Sequence, residues 1–191
     1  MAHYWVLRGL ALFIFGAAIY AQAPAPQQVT GLETDWEIAA NLQAIGAHAE
    51  RLLPMLEKID VYAWVEKGAS DTYLAQLQSS KVQARALAEG ARMLAASPQK
   101  LSASLELYLR MNGLETMLSS LQEGIRKYQG SADAVALASL EAENGANRER
   151  FQRYIVELAV QRERDLEIMD HEAQRCRGIV TQATPKPVRK K

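Results

Sequence analysis

Two turn-type dipeptides, Asn112-Gly113 and Asn144-Gly145, interrupt stretches that otherwise read as helix. If the chain reverses near Gln129-Gly130, the two pairs come to nearly the same height. Asn112, Glu115, Asn144, Asn147 and Arg148 then gather into one polar layer halfway along two neighbouring helices. Asn144 falls on the apolar stripe of its own helix, so its amide is the member expected to be buried. A buried amide needs partners, and Glu115 or Arg148 can supply them. Such a layer has two uses. It can line a polar pocket for a small ligand or a metal ion. Alternatively it fixes the register of packed helices at some cost in stability, as a single buried Asn does in a coiled seam.

Other chemistry finds little support. Helical metal centres use Glu-x-x-His on facing helices, and no such pair occurs. Beyond His3, the histidines are His48 and His171. His171 lies near Glu167, Asp170, Glu172 and Cys176, but one helix face cannot hold them all. A solvated charged face is expected there, with no metal site and no cofactor. Phosphate-cradling loops, the nucleophile elbow and the zincin helix are all missing, so no enzyme is expected. Lys plus Arg and Asp plus Glu each number 22, and this balance provides no field to draw in nucleic acid.

A second group of residues suits protein contact. The stretch 148–177 is dense in both signs of charge, and beyond Leu158 the core stripe is broken by Arg162 and Asp165. Leu166, Ile168 and Met169 form a small apolar strip there on which a partner helix could dock. Cys176 is the lone cysteine, set between Arg175 and Arg177. It is either a free thiol or pairs with another chain, which makes a homodimer one candidate assembly.

The elements that must position these residues are helices. Apolar or small residues recur at alternating steps of four and three in four stretches. Ile38 to Ile59 is the first, Tyr73 to Leu94 the second, Leu107 to Tyr128 the third, and Leu137 to Met169 a less regular fourth. Period-two strand patterns are hard to find. The expectation is an all-α fold, an antiparallel up-down-up-down four-helix bundle with a long C-terminal helix. Thr34 or Asp35 should cap the first helix with Glu37 in its opening turn, and Pro54 should kink it. Asp60 should cap a short helix, Val61 to Lys67, whose Tyr62, Trp64 and Val65 need cover. This helix is expected to lid one end of the bundle, between the first and second long helices. Ser70 or Asp71 should open the second long helix, Ser97-Pro98 the third, and Ser131 the fourth. The fourth pattern spans some 45 residues, about 70 Å of helix at about 1.5 Å per residue. It must either project beyond the bundle or break, and Gly178 is the expected stop.

The ends read differently. Residues 1–23 carry Arg8, an uncharged apolar run and small residues around Ala21-Gln22-Ala23, the pattern of a secretory signal peptide. An uncleaved signal anchor is the alternative. Residues 24–34 read as a flexible leader, 35–178 as the helical bundle, and 179–191 as a disordered basic tail. Membrane contact would come only through an uncleaved anchor or that tail. The expected location is secreted or periplasmic. The expected role is an exported non-catalytic bundle that binds an envelope protein as a scaffold, adaptor or chaperone-like factor. The alternative is a ligand- or metal-binding bundle built on the polar layer.

Overall fold

A computed structural model describes residues 32–183, all of whose regular structure is helical. The stretch expected to be a signal peptide, most of the expected leader and the lysines of the expected tail lie outside the described residues. The helices are α1 (Asp35–Glu57), α2 (Val61–Glu66), α3 (Thr72–Ala95), α4 (Leu101–Tyr128), α5 (Ser131–Ala142) and α6 (Gly145–Ala183). The fold is an all-α helical bundle. Among the described residues no helix is long and apolar enough to cross a membrane.

The starts of the helices follow local side-chain chemistry. Thr34 is the N-cap of α1, and the Glu37 carboxylate accepts from its backbone N–H at 3.1 Å and its hydroxyl at 2.6 Å. These bonds hold the Glu37 carboxyl below its ordinary pKa. Helix α1 continues through Pro54 as a single element. The Asp60 side chain accepts from the Ala63 N–H at 3.1 Å and so opens α2. Gly68 ends that turn with a φ of 91°, a left-handed conformation that favours glycine. The expected start at Ser97-Pro98 is displaced. Residues 96–99 form a turn, and α4 begins at Leu101, three residues later than the cap signal suggested.

The core lies where the stripes meet. Ile38, Leu42, Ile45, Leu52 and Leu56 of α1 face Ala84, Leu87 and Ala91 of α3, with Leu114, Leu118 and Leu121 of α4 completing it. Small residues bring α1 and α3 close together. A Cβ on Gly46 would sit 3.3 Å from the Ala88 carbonyl oxygen and 3.5 Å from the Ala91 Cβ. From α5 and α6 come Ala134, Leu137, Phe151, Tyr154, Ile155 and Leu158. The short helix α2 acts as a plug, through Val61 and above all Trp64, with Val65 packed alongside. The Trp64 indole meets Tyr73 edge-on with centroids 5.6 Å apart and stacks on Tyr128 at 6.1 Å. Tyr62 was expected to need cover but is 74% exposed, because a six-residue helix turns only one narrow face inward.

The fourth stripe both breaks and projects. It breaks at Glu143-Asn144, between α5 and α6. The Asn144 N–H donates back only three residues, to the Glu141 oxygen at 3.1 Å, and the Asn144 carbonyl accepts the Arg148 N–H at 2.9 Å. Asn and Gly are both poor helix formers, so the break falls at the least helical dipeptide of the stretch. Asn112-Gly113, the same dipeptide, stays within α4. Beyond the break, α6 runs 39 residues, about 58 Å at about 1.5 Å per residue. Gly178 does not stop it. The helix continues to Ala183, so residues 179–183, expected in the tail, are helical.

Candidate functional site

The polar layer assembles in part. Arg148 forms an ion pair with Glu115 across the α4–α6 boundary. Asn144 is buried, and its Nδ2 donates only to the Met111 sulfur at 3.7 Å, a weak acceptor. Its Oδ1 is buried with no hydrogen-bond partner among the described residues. Asn147 takes part through its backbone, whose oxygen accepts from the Asn41 Nδ2 at 3.1 Å. Asn112 stays apart from Asn144 in the hydrogen-bond pattern. Its backbone oxygen accepts from the Thr116 hydroxyl at 3.0 Å.

Part of this layer borders a cleft of ≈ 380 Å³ at mid-bundle, with Asn144 among its lining residues. Its floor is apolar, with Leu52 of α1, Leu87 of α3, and Met111, Leu114 and Leu118 of α4. Opposite α4, the wall of α5 and α6 offers Ala138, Ala142 and Gly145, whose small side chains leave the gap open. Glu115 and Arg148 also line it, whereas Asn112 and Asn147 do not.

Two polar residues of the cleft were not singled out from sequence. His48 of α1 is buried, and its Nδ1 has no hydrogen-bond partner among the described residues. Burial, with Arg51 nearby, lowers the pKa of the imidazole, whereas Glu143 opposes this. Glu141 of α5 has a buried Oε1 without a partner, and burial pushes its carboxyl up to about 7. The signal for both was helical spacing. His48 lies three residues after Ile45 and four before Leu52. Glu141 lies four after Leu137 and three before Asn144. Among the described residues, no three His, Cys, Asp or Glu side chains group closely enough to hold a metal ion.

The partner-contact residues lie elsewhere, on the projecting part of α6. Arg162 makes one of the last contacts with the bundle, donating to the Gln99 carbonyl oxygen at 3.2 Å. From Leu166 to Ile179 every described side chain is exposed, including Leu166, Ile168, Met169 and Cys176. At about 100° per residue, Leu166, Met169, Ala173 and Cys176 share one face. Ile168 points about 100° away from Met169 and does not belong to that strip. Compared with known proteins, the chain matches no family model, no curated protein and no solved structure.

Proposed function

We propose that the chain is an exported, non-catalytic binding protein of the cell envelope, a scaffold, adaptor or chaperone-like factor. It docks an amphipathic helix of another envelope protein against the projecting part of α6. One observation carries the proposal. Helix α6 leaves the bundle after Asp165, yet stays helical to Ala183 with Leu166 and Met169 each more than 60% exposed. Most helix stability in proteins comes from packing an amphipathic face, so an exposed apolar strip on this helix suits a partner. Leu166, Met169, Ala173 and Cys176 recur at steps of three and four, the seam of a coiled coil. Flanking charges of both signs, among them Glu163, Asp170, Glu172 and Arg175, suit a partner helix of mixed charge.

A chain ending at Asp165 tests this, because it keeps the Arg162–Gln99 contact. It should melt within a few degrees of the full chain. A photo-cross-linking residue at position 169 should capture one envelope protein in the native envelope, and Leu166→Asp should remove that adduct. Failure to capture any envelope protein, capture of a second copy alone, or an adduct unchanged by Leu166→Asp would each overturn the proposal.

A further inference from the structure

We propose that the mid-bundle cleft binds a small organic ammonium ion with an apolar body, its charge held by Glu141. This site is separate from the α6 surface, and neither proposal depends on the other. The volume of ≈ 380 Å³ falls within the roughly 300–1,000 Å³ typical of small-molecule sites. The floor of Leu52, Leu87, Met111, Leu114 and Leu118 favours an apolar group.

The polar groups select the charge. Glu141 Oε1, Asn144 Oδ1 and His48 Nδ1 are all unpartnered in the cleft walls. The first two are acceptors, and a neutral imidazole protonated at Nε2 makes the third one too. Each atom is out of reach of solvent, so its side chain must rotate into the cleft to meet a ligand. Three acceptors on residues that line one cleft suit a ligand that donates several hydrogen bonds, and an ammonium group donates three. An anion is disfavoured, because the nearest cation, Arg148, is already paired with Glu115. A neutral ligand would leave the Glu141 carboxylate buried without a countercharge above its own pKa.

The charged and titratable groups around the site are His48 on α1, Glu115 on α4, Glu141 on α5 and Arg148 on α6, with the Arg51–Glu143 pair at 2.6 Å alongside. Of these, Glu141 changes charge near pH 7. Affinity for an ammonium ion should therefore rise between pH 6 and pH 8.

Benzylamine, benzyl alcohol and benzoate are suitable probes, read by thermal shift and calorimetry on the whole chain. Millimolar benzylamine should raise the melting temperature by linkage, more at pH 8 than at pH 6, and the other two should not. Glu141→Gln should weaken benzylamine at least tenfold. Ala138→Trp, which fills the cleft without touching its charges, should weaken it as well. Glu89→Gln, an exposed carboxylate of α3 that does not line the cleft, should leave it within about twofold. No shift with benzylamine, an equal shift with benzoate, or binding that survives either Glu141→Gln or Ala138→Trp would overturn the assignment.

Discussion

Glu141 and His48 oppose each other in the response of this protein to pH. The raised Glu141 pKa means that the folded state holds its proton up to about pH 7, whereas the unfolded carboxyl releases it near 4.5. The stabilisation is complete below about 4.5 and is lost as pH rises to about 7. Burial depresses the His48 pKa, so its contribution runs the other way. The unfolded imidazole gains a proton below about 6.5 while the folded one resists it, and stability falls as the medium becomes more acidic. Glu141→Gln isolates the carboxyl. The variant should melt above the parent at pH 8, with the gap closing toward pH 4.5. Parallel melting curves across that range would show that Glu141 is solvated. Neither residue stood out in the sequence, because a single polar side chain beside an apolar stripe is ordinarily solvent-facing. The polarity of Asn144 and its place on the stripe were legible. Whether its amide found a partner depended on what α4 put opposite, and Met111 is a poor acceptor.

At the scale of elements, the interior glycines separate into two kinds. A Cβ at Gly124 would lie 2.6 Å from Trp64 Cζ3 and 3.1 Å from Tyr73 Cε1, where α2 presses its indole onto α4. A Cβ at Gly113 would meet nothing within 4 Å. Gly113→Ala should therefore raise stability by about 0.5–1 kcal/mol through helix propensity alone. Gly124→Ala gains the same propensity but meets an overpacking cost of about 1–3 kcal/mol, so it should lower the melting temperature. Denaturant melts of the two variants check this, and a rise for both would mean that α2 is loosely seated. The sequence placed all these glycines on helices without distinguishing them, because close approach belongs to the neighbouring element. Helix-neighbour ion pairs were legible only coarsely. Glu106–Arg110 and Glu172–Arg175 form at 3.2 and 3.0 Å. Glu123 has Lys127 four residues on, the spacing of a helix-neighbour pair, yet it takes Arg126 at 2.8 Å, and Lys127 lies over the Tyr128 ring at 4.9 Å. Such exposed pairs contribute little to stability.

Across the molecule, order should be graded rather than uniform. Helices α1 and α3 bury their stripes against each other through small residues, whereas the side chains of α6 from Leu166 to Ile179 are exposed. Amide hydrogen exchange of the isolated chain should follow this. Protection should be greatest around Ile45, Leu87 and Ala91, and close to none from Leu166 to Gly178. Slow exchange in that end of α6 in dilute solution would mean that it already packs on something, a second copy being the nearest source. Steps of three and four in apolar residues, with caps at Thr34 and Asp60, were enough to specify an all-helical bundle with a plug after its first helix. Those features act within a few residues, so the chain itself carries them. Which of the two Asn-Gly dipeptides would break its helix, and the cleft beside Asn144, were decided only by packing. Each depends on the size and polarity of side chains brought from a distant part of the chain, and no local pattern encodes what will stand opposite.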